Sequence, residues 1–229
     1  MDHPVVSHEE WLRARIELLD REKEFTHERE RMAQAVRALP WERVEKKYVF
    51  EGARGDRTLP YLFDGRSQLI VYHFMFPPEW DEGCPHCSFW ADNFERAIVH
   101  LNARDTSMVA ISRAPYPKLA AYRDRMRWTF DWLSSFETDF NYDFGVSFTP
   151  EQEQDEGAYN YTTAPGISDR EGVSVFLRDG DDLFHTYSTY GRGIDIFNVT
   201  YNYLDVTPKG RDEGDRGQFW VRRHDEYGR

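Results

Sequence analysis

Apolar residues recur at helical spacing near the start of the chain, at Trp11, Leu12, Ile16, Leu19, Met32, Val36 and Leu39. Ser7, with Glu10 three positions on, reads as a capping box that opens this helix. Residues 22–31 are mostly polar apart from Phe25, so the pattern predicts a long helix with a break near Thr26 and an end before Pro40. Its apolar stripe needs cover, from the main domain or from a second copy of the chain in a homodimer. The period then changes. Residues 46–51 alternate and read as a strand, and residues 67–76 form a nearly continuous apolar and aromatic run. Such a run suits a central strand covered on both faces. Pro77 and Pro78 end it. Phe89, Trp90, Phe94, Ile98 and Leu101 then suit one helix face. Residues 107–112 read as a second buried strand and 116–128 as a second helix. Residues 173–190 read as a hairpin turning at Asp179-Gly180-Asp181, and 194–204 as a closing helix.

This order is a βαβ unit followed by ββα, with helices on both faces of a mixed sheet. It predicts an α/β, thioredoxin-like domain over residues 41–229, preceded by a helical extension over 1–40. No Pro-, Gly- or Ser-rich linker divides the main domain.

The only two cysteines, Cys84 and Cys87, fall between the end of the first core strand and the start of a helix. Unpaired N–H groups and the macrodipole make a helix start electropositive, which stabilises a thiolate. Cys84 is therefore expected to be the attacking, more exposed thiol and Cys87, one turn on, the resolving one. Pro85 fits the first helical position, where its missing N–H costs nothing. His86, when protonated, adds positive charge beside Cys84. Trp80, four residues before Cys84, joins the supporting set. A zinc site needs two more ligands, and no second CxxC exists. His73, His100 and His185 would have to be recruited by folding, so no metal and no other cofactor is expected. His73, inside the apolar strand, reads as a hydrogen-bonded core residue. On an alternating strand His185, Tyr187 and Thr189 share one face, and Thr186, Ser188 and Tyr190 the other. Those polar groups either line a site near the cysteines or cap a helix.

The net charge of −12 and a pI near 5.1 repel phosphate backbones and anionic headgroups. Nucleic acid and membranes are thus not expected as partners. The first residues show no basic leader followed by an apolar run, so a cytoplasmic location is expected. In that compartment a CxxC does redox or metal chemistry rather than forming a structural bridge. The expected activity is thiol–disulfide exchange with a protein or small-molecule disulfide, renewed by a cellular reductant.

The chain resembles the bacterial thioredoxin-like family catalogued as domain of unknown function 899. The resemblance rests on "SHEEWL", "ALPWERVEKKYVFEG", "LFDGRSQLIVYHFMF", "GCPHCSFWADNF", "ISRAP", "DFNYDFGVSF", "FHTYSTYGRG" and "YLDVTPKGRDE", in this order. It implies a thioredoxin-like fold with the redox pair at Cys84 and Cys87. Cys84-Pro85-His86-Cys87 is also similar to the motif of periplasmic disulfide-forming oxidases. Pro77, seven residues before Cys84, resembles peroxiredoxin spacing and implies an alternative, a thiol peroxidase with Cys84 peroxidatic. Asp81 stands where that pattern has Thr, and a carboxylate there would raise the thiol pKa. Arg113 or Arg192 would supply the positive charge. Where thioredoxin-like enzymes carry a cis-proline, this chain has Glu171-Gly172; a trans bond is expected there, with Gly172 admitting a substrate chain. A third alternative is a binding or scaffold domain in which the cysteines are redox-inert.

Overall fold

The computed structural model describes residues 3–228; residues 1–2 and 229, the outer ends of the two predicted regions, lie outside the described residues. The chain separates into two compact units, Met1–Pro40 and Trp41–Arg229. The first is one helix, α1 (His8–Arg37). Ser7 and Glu10 form the predicted reciprocal cap: Glu10 N–H donates to Ser7 Oγ at 3.3 Å and Ser7 N–H to Glu10 Oε2 at 3.0 Å. The expected break near Thr26 is absent. The Thr26 hydroxyl donates back to the Glu22 carbonyl at 2.9 Å, sharing an acceptor of the helix ladder, and the helix continues through it. Pairs such as Glu9–Arg13 and Asp20–Lys23 line the polar faces. None of the side chains of α1 is buried.

The second unit runs in the order β1 (Glu42–Arg43), β2 (Val49–Gly52), β3 (Gly55–Thr58), β4 (Gln68–His73), α2 (Pro85–Phe94), α3 (Ile98–Asn102) and β5 (Thr106–Ser112). It continues with α4 (Tyr116–Met126), β6 (Trp132–Ser134), α5 (Phe140–Asp143), β7 (Gly172–Asp179), β8 (Asp182–Tyr190) and α6 (Val199–Leu204). All eight strands form one sheet in the order β1-β8-β7-β4-β5-β6-β2-β3. The predicted apolar run is the central strand β4. It pairs parallel with β5 (Gln68↔Thr106 to His73↔Ile111) and antiparallel with β7 (His73↔Gly172). A parallel β4–α–β5–α4–β6 half followed by the β7–β8 hairpin and α6 is the thioredoxin-like arrangement.

Alternation along β4 divides the core. Tyr72 and, just beyond the strand, Phe74 and Phe76 pack with Cys87, Trp90, Tyr122 and Trp132 on one face; Leu69 and Val71 pack with Phe50, Phe63, Phe140 and Phe176 on the other. Each such fully buried side chain contributes roughly 1.5–3 kcal/mol.

Several boundaries differ from the sequence pattern for local reasons. The stretch read as one helix after the cysteines is two, because the chain turns at residues 95–97 between α2 and α3. The closing helix is also divided: residues 191–197 are a 3-10 segment, and α6 starts afresh under the Asn198 side chain, which accepts from Tyr201 N–H at 3.2 Å. The strand predicted at 46–51 starts only at Val49, and Lys46 pairs with Asp139 and Asp143. The β7–β8 hairpin turns at Gly180-Asp181 as predicted, but a bulge follows: Val175 pairs with Tyr187 and Phe176 with His185. The extra residue, Thr186, breaks the expected alternation, so His185 and Ser188 meet on one face with His185 Nε2 at 2.7 Å from Ser188 Oγ.

Candidate active site

The chain leaves β4 still extended. Phe74 N–H donates to the Ile111 carbonyl and Ala114 N–H to the Phe76 carbonyl, before Pro77 and Pro78 stop the pairing. The loop then folds back, and Cys84 N–H donates to the Met75 carbonyl at 3.1 Å. Lys118 Nζ fixes the loop by donating to the carbonyls of Pro78 and Trp80, each at 2.8 Å. Gly83 is required here: a Cβ would lie 2.8 Å from the Phe74 ring and 3.0 Å from that of Tyr122. The sequence reading did not single it out, although a glycine directly before the motif was the available signal.

Cys84 is the N-cap of α2 and Pro85 its first helical residue, as predicted. The Cys84 carbonyl accepts from Ser88 N–H at 3.0 Å and Ser88 Oγ at 2.9 Å. Both cysteines are free thiols. Cys84 is the more exposed, as expected, but at 6% against 2% for Cys87 both are buried. Cys84 lies at the floor of a cleft of about 570 Å³ rather than on the surface. Cys87 sits behind it and accepts from Met75 N–H at 3.3 Å.

The two thiols differ in acidity. The hydrogen bond from Cys87 holds Cys84 well below the ordinary thiol value, and His86, whose Nδ1 lies 3.9 Å from the sulfur, acts in the same direction. Burial pushes Cys87 well above it, reinforced by the charge on Cys84. His86 is raised in turn, first by its hydrogen bond to Cys84. The arrangement favours the charged form at Cys84 and at His86 and the protonated form at Cys87.

Trp80, Pro85 and His86 line this cleft with Cys84, and Arg192 stands at its rim, paired with Asp195 at 3.0 Å. Arg113 does not reach it. Its guanidinium is held by Asp169 at 2.7 Å and by the Tyr142 hydroxyl at 2.8 Å. Asp169 is buried, which pushes its carboxyl up to about 6 against the pull of Arg113. Gly172 also differs from expectation. The bond before it is trans. The space where a Cβ would stand is filled by the Tyr190 ring, 2.5 Å from that position, so the glycine admits a neighbouring side chain and not a substrate. Asp81 is exposed and lies outside the cleft; the carboxylates that line it are those of Glu171, Asp195 and Glu213. The cleft also includes Arg170, Arg211, Glu213 and Gln218, none of which the sequence pattern singled out.

His73 is the buried, hydrogen-bonded residue expected, with Nε2 2.8 Å from Ser174 Oγ. Ser174 continues to Ser188 at 2.8 Å and Ser188 to His185. His185 therefore joins a polar chain against the Phe140–Phe176 face, while Arg192 alone of the residues singled out between 184 and 193 lines the cysteine cleft. His100 is exposed on α3. Among the described residues no group of three or more His, Cys, Asp or Glu side chains is placed to hold a metal, and no helix is long and apolar enough to cross a membrane.

Several solved structures are similar to this chain. Peroxidoxin BcpB from Mycobacterium tuberculosis matches with a TM-score of 0.47 at 16% identity, over 72% of this chain and 97% of that one. The bacterioferritin comigratory protein of Xanthomonas campestris, described for alkyl peroxide reduction, matches at 0.48 and 11% over 72% and 96%. A putative thiol:disulfide interchange protein DsbE from Chlorobium tepidum matches at 0.44 and 10% over 71% and 98%. No curated protein matches the sequence. The family model described as bacterial protein of unknown function (DUF899) matches residues 1–227, and the chain belongs to that family.

Proposed function

We propose that the protein is a dithiol–disulfide oxidoreductase. The observation that carries this reading is Cys84 at the N-cap of α2, lining an open cleft, with the buried Cys87 one turn behind it and its sulfur accepting from Met75 N–H. The Cys84 thiolate attacks one sulfur of a substrate disulfide. The substrate S–S bond breaks, a mixed disulfide forms, and the departing thiolate takes a proton from His86. Cys87 then gives its proton to the neutral His86 and attacks Cys84 Sγ; the mixed-disulfide S–S bond breaks, the second substrate sulfur leaves as a thiolate that takes that proton, and a Cys84–Cys87 disulfide remains. Two electrons pass from the protein dithiol to the substrate, and a cellular thiol reductant restores the pair. Burial keeps Cys87 protonated until Cys84 is consumed, which orders the two steps.

A Cys87→Ser variant should accumulate mixed disulfides that disappear when Cys84 is also replaced. Absence of any trapped species, with both thiols titrating at ordinary values, rejects the reading.

The depth of Cys84 supports a second reading, thiol peroxidase. A hydroperoxide is small enough to reach the floor. Its O–O bond would break as Cys84 becomes a sulfenic acid, and Cys87 would then expel water to form the same disulfide. Stopped-flow peroxide consumption no faster than that of a free thiol excludes it.

A further inference from the structure

Which disulfides reach Cys84 is set by the walls of the cleft. Its volume of about 570 Å³ is that of a small-molecule site. The outer wall comes from the C-terminal segment. Glu213 Oε1 accepts from the Tyr201 hydroxyl at 2.8 Å and from Trp220 Nε1 at 2.7 Å, and the Trp220 ring packs edge-on to Phe89 of α2. Arg223 donates to the Gly83 carbonyl at 2.9 Å and to the Tyr122 hydroxyl at 2.8 Å. The wall is thus tied to α2, to α6 and to the loop that ends at Cys84.

Charges in the cleft sort into occupied and free. Arg192 and Arg211 both bind Asp195, and Glu213 is held by Tyr201 and Trp220. Arg170 donates its Nε to the Pro165 carbonyl at 2.6 Å and has no carboxylate at ion-pair distance among the described residues. The neighbouring carboxylate of Glu171 likewise has neither ion pair nor hydrogen bond among them; Arg170 lies over the Tyr159 ring at 5.5 Å and the Glu171 charge acts on His86, so one cation and one anion without ion pairs face the cleft. The Tyr72 hydroxyl, buried at the floor beside the Cys87 sulfur, finds no oxygen or nitrogen partner. A buried, unpaired hydroxyl of this kind is costly, whereas Arg170 and Glu171 are half-buried, reach solvent and stand open to a ligand.

We propose that the cleft takes a low-molecular-weight zwitterionic disulfide of the amino-acid disulfide class, its carboxylate on Arg170 and its ammonium on Glu171, and that the C-terminal wall shuts out protein disulfides. This rests on the oxidoreductase reading, with the same balance: one disulfide becomes two thiols as Cys84 and Cys87 become a disulfide.

The test is a single-turnover experiment. Reduced protein, freed of reductant, is mixed with cystine, cystamine, dithiodipropionate, the uncharged hydroxyethyl disulfide, or insulin. The fraction of chains holding the Cys84–Cys87 bond is read by quenching with an alkylating agent. Cystine should half-saturate the rate at the lowest concentration. Removing its two carboxylates (cystamine) or its two ammonium groups (dithiodipropionate) should raise that concentration by about tenfold, the scale of the one charge-assisted hydrogen bond lost in the cleft. Arg170→Met should raise it for cystine and dithiodipropionate but not for cystamine, and Glu171→Gln for cystine and cystamine but not for dithiodipropionate, with limiting rates little changed. Insulin should not oxidise the pair on that timescale. Equal half-saturation by the four small disulfides, variants that shift all of them alike, or insulin reacting as fast as cystine overturns this proposal while the oxidoreductase reading stands. If no disulfide forms the bond, both fall.

Discussion

Tyr72 and His73 are consecutive residues of one strand, and they look into two different chemistries. On the Tyr72 face, the chain beyond β4 folds back to bring Cys84 to a helix start on the floor of a cleft. On the His73 face, a comparably polar set begins with His73, Ser174 and Ser188, buried behind Phe140 and Phe176, and only its outer end, His185, reaches a separate cleft of about 490 Å³ that holds no cysteine. Both faces bury titratable groups, and burial favours the neutral form on both, yet the outcomes differ. Burial holds His73 neutral, with a pKa lowered to about 3 by desolvation and then by His185. Cys84 is equally buried and yet is held charged, because Cys87 and His86 compensate its desolvation. Burial alone therefore does not mark a reactive group. A compensating partner together with an opening does.

The comparison can be broken most forcefully at Cys84. Cys84→Ser should take disulfide reduction down to the rate of buffer alone while leaving the denaturation midpoint close to that of the parent, because the helix cap survives the change. A fully active variant would remove the cleft from the chemistry. The His73 face should behave the other way round. Ser174→Ala leaves His73 Nε2 and Ser188 Oγ each short of a partner, at a cost of about 1–3 kcal/mol in urea unfolding, with turnover per folded molecule unchanged. Loss of activity without loss of stability there would show that the two faces are coupled.

Acid separates them further. The folded-state pKa of His73 is depressed below that of the unfolded chain, so its contribution to stability is complete above about 6.5 and is lost as pH falls toward the folded value. Between pH 7 and pH 5 the loss is about 2 kcal/mol. His73→Gln should flatten that part of the stability–pH curve. An unchanged slope would mean that the imidazole takes up its proton without unfolding.

What the sequence made legible was local. Ser7 and Glu10 are three residues apart and cap one helix, so their geometry is implicit in their spacing. The run ending at Pro77 and the cysteines that follow it set a strand end and a helix start within a dozen residues. The cleft walls were not legible, because Arg170, Glu171, Arg211 and Glu213 meet Cys84 only through the sheet order and the path of the C-terminal segment. Arg113 was misplaced because its partner, Asp169, lies 56 residues away in an irregular stretch. Thr186 carries no pattern that distinguishes a bulge from regular alternation, so the side occupied by His185 was read wrongly. The three-residue strand β6 is too short for any periodicity to show.

The central claim is the charge separation between the two sulfurs. Ultraviolet absorbance of the thiolate, followed against pH in the reduced protein, tests it directly. The structure predicts two well-separated steps: one thiolate per chain appearing well below the ordinary thiol value of about 8.5, absent in Cys84→Ser, and a second well above it. A single step in which both thiols titrate together at or above that value would contradict the account.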